Sequence, residues 1–363
     1  MPIAISRRAL LGTAAAAWAA AGTPRVQGAT PKKRVARLSA NENPYGPGPK
    51  ARAAIQAAVA ESCRYSIGSY TQLLDALARH ENVARENIVL GAGSGELLHM
   101  LALEYVGRGE LVTAWPTFNQ ITAYAEKLGA SVKRVPLDAA MRHDLPAMAQ
   151  ATTGNTGLVY VCNPNNPTGT AVDGSRLHDF CRAVAQQALV VVDEAYLELV
   201  EPGATASMVD LARAGENVIV LRTFSKIHGL AGLRIGYGIG EANNMARLRR
   251  MQMTFPNTIG LEAALASLND AEFLAQTKRA LSSDRRRMVE VCRTLGLECT
   301  DSQGNFIFVN TGMPAGQFRE RMLEHSIEVG RNFEPYSNWC RVSVGARAET
   351  DQFLAALPRV AAA

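Results

Sequence analysis

Thr223-Phe-Ser-Lys226-Ile-His-Gly-Leu-Ala-Gly-Leu-Arg234-Ile-Gly236-Tyr is the stretch from which fold and chemistry are read. The run Asn217-Val-Ile-Val-Leu221, apolar after its first residue, leads into it. Glycines at 229, 232, 236 and 238 loosen the backbone behind it. A β-branched run closing on hydroxyl residues predicts a buried strand whose mouth presents a lysine. The amine can form an imine with an aldehyde, while Thr223, Ser225 and Arg234 offer hydroxyls and a guanidinium to a phosphate. Taken alone, Ser-Lys has a plainer use as a solvated lysine on a glycine-rich loop, so other segments must carry the weight.

Ile88-Val-Leu-Gly-Ala-Gly-Ser94-Gly95-Glu96 passes from a short apolar run into an amphipathic helix. Its turn offers backbone N–H groups to an anion, with Ser94 adding a hydroxyl and Gly95 permitting close approach. Val159-Tyr-Val-Cys-Asn-Pro-Asn-Asn166-Pro-Thr-Gly169 holds a side-chain amide at the carboxyl end of a strand, or else builds an Asx-turn. Leu189-Val-Val-Val-Asp193-Glu-Ala-Tyr196 closes a run buried on both faces with an acid. That acid needs a cation, which a protonated ring nitrogen, a metal or a buried arginine can supply. Cys340-Arg341-Val-Ser-Val-Gly345 places a guanidinium on an alternating strand, suited to bidentate grip of a carboxylate or phosphate, or to an ordinary surface position. The aldehyde phosphate that would use the first four segments together is pyridoxal phosphate (PLP).

With Asn41-Glu-Asn43-Pro-Tyr-Gly-Pro, Arg64-Tyr65, Pro116-Thr-Phe118 and Gly304-Asn305-Phe, these motifs follow one order from about residue 38 to 346. Together they resemble the fold-type I PLP enzymes, the aspartate aminotransferase superfamily, and most closely its histidinol-phosphate aminotransferase branch. The resemblance implies an aminotransferase acting on an L-amino acid, or a histidinol-phosphate-like amine, and a 2-oxo acid. It implies a homodimer, with both active sites at the interface. Lys226 would carry PLP and move the proton, Asp193 would pair with the ring nitrogen, and Tyr196 and Asn166 would contact the ring oxygen. Phe118 would stack on the ring, and Ser94, Gly95, Thr223, Ser225 and Arg234 would bind the phosphate. Tyr65 would reach the cofactor phosphate of the neighbouring subunit, and Asn43, Asn305, Arg331 and Arg341 would line the substrate pocket. Ser66-Ile-Gly-Ser replaces the proline and acid that usually follow the tyrosine. Phe333, Tyr336 and Trp339 crowd the segment between the two arginines, either reshaping the pocket or packing the smaller domain. The alternative within the fold is a lyase or decarboxylase resembling threonine-phosphate decarboxylase, since sequence does not set which bond to Cα lies perpendicular to the ring.

Apolar runs at 88–90, 111–114, 132–136, 158–162, 189–193, 218–222 and 234–239 alternate with helical patterns. They predict an α/β fold: a large domain, aspartate-aminotransferase-like by the resemblance, with a mostly parallel seven-stranded sheet, plus a smaller α+β domain. The expected divisions are a leader at 1–29, an arm and part of the smaller domain at 30–60, the large PLP-binding domain at 61–262, and the smaller domain at 263–363.

The 363 residues carry a net charge of +5, of which Arg7, Arg8 and Arg25 contribute three, leaving +2 for the remainder. No basic run with interleaved aromatics appears, which argues against a nucleic-acid partner. Ser6-Arg7-Arg8-Ala-Leu10-Leu11, then an alanine-rich stretch through Ala21, reads as a twin-arginine export signal. That points to the periplasm, a route that carries folded, cofactor-loaded cargo, with no other membrane contact. The plainer reading is an N-terminal extension on a cytoplasmic enzyme. Cysteines at 63, 162, 181, 292, 299 and 340 follow no metal or redox spacing, so no metal is expected. Export would allow a Cys292–Cys299 bridge.

Overall fold

The computed structural model describes residues 35–361; the segment read above as a twin-arginine leader lies outside the described residues. Within Ala36–Ala361 the strands are β1 (Ala36–Leu38), β2 (Ile88–Gly91), β3 (Glu110–Trp115), β4 (Val132–Pro136), β5 (Thr156–Cys162), β6 (Leu189–Asp193), β7 (Val218–Thr223), β8 (Gly236–Gly240), β9 (Phe306–Asn310), β10 (Ile327–Val329) and β11 (Trp339–Ser343).

Seven of them form one sheet in the order β2-β8-β7-β6-β5-β3-β4. Only β8 runs against its neighbours. The continuous apolar runs follow from burial of both faces. Val159, Val161, Val190, Val192, Val218 and Val220 face one core cluster. Leu158, Tyr160, Cys162, Leu189, Val191, Ile219 and Leu221 face the other. The period of two sorts successive residues to opposite sides, and each such burial is worth about 1.5–3 kcal/mol relative to exposure. Pairing then sets the level of the strand ends: Cys162 lies beside Asp193, and Asp193 beside Leu221. The carboxyl ends of β5, β6 and β7 therefore open at one place.

The smaller layer pairs β9 with β11 antiparallel and β1 with β10 parallel. Its core takes in the helices Ala271–Thr294, Ala315–Glu324 and Arg347–Ala361. Tyr196, Leu199 and Ile227, from loops beyond β6 and β7, are buried in that same core. The segment expected at 30–60 is divided. Ala36–Leu38 joins the smaller layer, whereas Ala51 and Ile55 of the helix Pro49–Ala58 pack with Leu261 and Ala264 against β2 and β8. The helix Thr258–Leu268 runs across the boundary expected at 262/263. Cys292 and Cys299 are free thiols packed in the C-terminal core, so the bridge considered for them is not formed. They serve there as small apolar residues. Among the described residues no helix is long and apolar enough to cross a membrane, and no cluster of side chains suits a metal.

Candidate active site

A cavity of about 380 Å³ opens where β5, β6 and β7 end. Lys226, Asp193, Asn166, Tyr196, Phe118, Ser94, Gly95, Thr223, Ser225, Arg234, Arg331 and Arg341 all line it. Its cations are Lys226, Arg234, Arg331 and Arg341, against the acids Glu42 and Asp193, so the cavity favours anions.

Lys226 follows β7 on a tight loop. The Gly229 N–H donates to the Lys226 carbonyl at 3.0 Å, and the Leu230 N–H donates to that of Phe224 at 3.0 Å. The amine reaches the Asn41 carbonyl at 3.3 Å and lies 5.4 Å from the centre of the Tyr196 ring. Burial lowers its pKa to about 8; the nearby Arg341 charge pushes the same way and Asp193 opposes.

Asp193 lies on the Tyr160 side of the sheet, which alternation along β6 dictates. Tyr160 donates its hydroxyl to Oδ2 at 3.0 Å, and the Ala195 N–H donates to Oδ1 at 3.1 Å. No lysine or arginine forms an ion pair with Asp193 among the described residues. Burial raises its pKa to about 6, partly offset by the Tyr160 and Ala195 hydrogen bonds. A carboxylate so placed calls for a cationic N–H from a ligand.

Arg341 makes the converse demand. It is buried on β11, donating Nη1 to Asn166 Oδ1 at 2.6 Å and Nη2 to the Ser39 carbonyl at 2.6 Å. Among the described residues its Nε has no partner and no carboxylate meets it. Burial pulls its pKa down. A buried guanidinium held only by neutral groups is a receptor for an anion.

The third corner suits a phosphate. Ser94 begins the helix Ser94–Tyr105, whose N-terminal N–H groups and dipole favour negative charge. Thr223 donates to Ser225 Oγ at 2.9 Å, and Arg234 Nη1 lies 3.5 Å from that oxygen. Gly93 has φ +80°, and a Cβ there would come within 2.3 Å of Arg234 Nη2, so only glycine lets the arginine lie against the turn. The orphaned acid, the orphaned guanidinium and this cradle around a softened amine together fit an aldehyde phosphate with a basic ring.

Two residues expected in the substrate pocket are placed elsewhere, and Tyr65, expected at the neighbouring subunit's cofactor, lies outside this chain's own cavity. Asn43 does not line the cavity; its amide donates to the Ile227 carbonyl at 2.7 Å and ties down the lysine loop. Asn305 is not among the cavity-lining residues; its amide donates to the Asn41 and Glu42 carbonyls at 3.0 and 3.1 Å, holding the segment that carries Asn41. Tyr65 is 95% exposed and borders a different groove, with Arg64 and Thr258. Conversely, Asn41 lines the cavity and donates Nδ2 to the Tyr196 hydroxyl at 3.0 Å. It stands two residues from Asn43 in the same motif, and only the turn at φ +53° aims it inward. Tyr160 carried no local mark, being one aromatic in an apolar strand. Phe333 lines the cavity, while Tyr336 and Trp339 pack with Phe308 behind it.

The family described as aminotransferase class I and II matches residues 33–357, and the chain belongs to it. A histidinol-phosphate aminotransferase of Moorella thermoacetica is 38% identical over 334 residues, 91% of this chain and 86% of that protein. An aromatic amino acid aminotransferase of Rhodococcus jostii is also 38% identical, over 323 residues and 88% of each chain. The solved histidinol-phosphate aminotransferase from Sinorhizobium meliloti, in complex with pyridoxal-5'-phosphate, matches with a TM-score of 0.85 at 30% identity, covering 94% of this chain and 98% of that one.

The depressed lysine yields a measurable pH dependence. Below its pKa the amine is protonated and cannot attack. Capture of PLP by the apoprotein should therefore quicken with pH and level off above about 8. A midpoint near the ordinary lysine value of about 10.4 would contradict the burial described for the amine.

Proposed function

We propose that this chain is a PLP-dependent aminotransferase whose donor is an L-amino acid, its α-carboxylate held by Arg341. The observation that carries this is the buried Arg341 guanidinium, which among the described residues has no carboxylate partner and an unpaired Nε, beside Lys226 and Asp193 in one cavity. PLP, when bound, supplies an aldehyde for amines and a ring that accepts electrons. Ser94, Ser225, Thr223 and Arg234 would hold its phosphate, and Phe118 its ring face. Asp193, kept oriented by Tyr160, favours a protonated ring nitrogen. Asn166 and Tyr196 stand 3.5 Å apart and offer an amide N–H and a hydroxyl to the ring oxygen. Lys226, with its lowered pKa, is suited to take a proton from the substrate Cα, and would return it to the carbon that was the aldehyde, beyond the amino nitrogen.

Relatives named for histidinol phosphate and for aromatic amino acids match at the same 38% identity, so the choice rests on the site. Arg341 is buried and held by two hydrogen bonds of 2.6 Å, as a bidentate carboxylate grip should be, whereas Arg331 is exposed and, among the described residues, its one side-chain hydrogen bond, to Asn119, is 3.5 Å long. That asymmetry favours one carboxylate at Arg341 over a phosphate shared by the pair. Arg341→Lys keeps the charge and loses the fork, so KM for amino acid donors should rise about tenfold or more while PLP stays bound. Histidinol phosphate surpassing every amino acid in kcat/KM would overturn the choice.

The working unit in this reading is a homodimer. Its support is Tyr65, exposed and outside the chain's own cavity, with Ile67, Met253 and Phe255 also exposed. Tyr65→Phe should loosen PLP and sedimentation should show a dimer; a monomer that holds PLP fully would refute this.

The enzyme is also read as an exported protein, on the strength of Ser6-Arg7-Arg8 and the alanine-rich stretch behind it. Changing Arg7 and Arg8 to lysine should leave folded, PLP-loaded enzyme in the cytoplasm. Undiminished export of that variant would exclude the twin-arginine route.

A further inference from the structure

Phe333 packs against both Arg331 and Arg341 of the cavity. The Arg331 guanidinium carbon lies 4.6 Å from the ring centre, and that of Arg341 lies 5.1 Å from it. The two carbons can therefore be no further apart than those distances together. The ring itself is anchored. It meets Phe308 edge-on at 6.1 Å, and Phe308 stacks on Trp339 at 5.1 Å. The backbone closes the same loop, with the Tyr336 N–H donating to the Phe333 carbonyl at 2.9 Å.

The arginines depend on this ring unequally. Arg341 has Asn166, the Ser39 carbonyl and a second ring, Phe306, at 5.8 Å. Among the described residues Arg331 has only the 3.5 Å hydrogen bond to Asn119 besides the Phe333 face. Without the ring, Arg331 would sample many rotamers and Arg341 would stay. Two like charges against one ring repel, and an anion between or across them relieves that repulsion.

We propose that Phe333 determines charge selectivity: its ring holds Arg331 at a set separation from Arg341, so that a substrate with a second anionic group is gripped at both ends. This rests on the reading of Arg341 as the carboxylate grip. Phe333 is then a positioning residue for Arg331, and the substrates it favours are dianionic 2-oxo acids and amino acids over monoanionic ones.

The test compares a dicarboxylate and a monocarboxylate 2-oxo acid as acceptors, with purified holoenzyme. In Phe333→Leu the ratio of their kcat/KM values should fall about fivefold, through KM of the dicarboxylate, with kcat little changed. Phe333→Tyr, which keeps the ring, should restore the ratio. Arg331→Ala should lower it to a similar extent, and the double variant F333L/R331A should lose little more, because the two act as one unit. Should F333L not fold, Phe333→Met keeps the volume without the ring face and reads the same ratio. Equal losses for both acceptors, or losses that add in the double variant, would overturn the role of Phe333. Arg341→Lys distinguishes the two readings: it should raise KM for both acceptors alike. No effect on either would overturn the carboxylate grip and this proposal with it.

Discussion

Two opposite charges, each buried without an ionic partner among the described residues, organise this protein. Asp193 ends β6 with only a tyrosine hydroxyl and a backbone N–H, and Arg341 ends in an amide oxygen and a carbonyl. Leaving either charge so costs several kcal/mol in a closed interior. The cost is sustained because the surrounding structure is over-determined. The sheet is buried on both faces, its register is set by alternation, and the smaller layer shares core residues with the loops beyond β6 and β7. A ligand that brings a cationic ring nitrogen to one charge and an anion to the other settles both at once.

Asn41 is the joint through which the layers agree on that geometry. Its N–H donates to Ser343 Oγ at 2.8 Å, and Ser343 Oγ donates back to its Oδ1 at 2.9 Å, tying it to β11. Its amide reaches Tyr196, and its carbonyl takes hydrogen bonds from both Lys226 and Asn305. Displacement of this one residue would alter the lysine, the tyrosine and the arginine strand together. Buried polar networks of this kind specify an arrangement because a half-satisfied one is worse than none.

Deeper in the molecule, Glu194 beside Asp193 shows how an adjacent acid is kept out of the chemistry. Arg222 Nε lies 3.0 Å from Glu194 Oε2, and the Met208 N–H and Ser207 hydroxyl also donate to that carboxylate. Alternation along the chain sends Asp193 toward the cavity and Glu194 toward this closed network. Neighbouring acids thus acquire different environments from backbone geometry alone.

Strand positions, the mostly parallel sheet, and the strand-end places of Lys226, Asp193 and Asn166 were legible in local pattern: β-branched runs, glycine turns and polar residues at strand ends. Arg341 joined them only through the family resemblance, since its own strand leaves a surface position equally open. Choosing Asn41 over Asn43, seeing Tyr160 under Asp193, finding Asn305 bonded to the Asn41 and Glu42 carbonyls and placing Phe333 against both arginines needed the tertiary structure. Those roles join residues up to 302 positions apart, as the Asn41–Ser343 bond does. Sequence determined which chemistry each strand end could present, because the backbone's own periodicity aims the side chains. Tertiary structure decided which of them share hydrogen bonds, because a hydrogen bond tolerates only tenths of an ångström, and that precision comes from packing between distant segments.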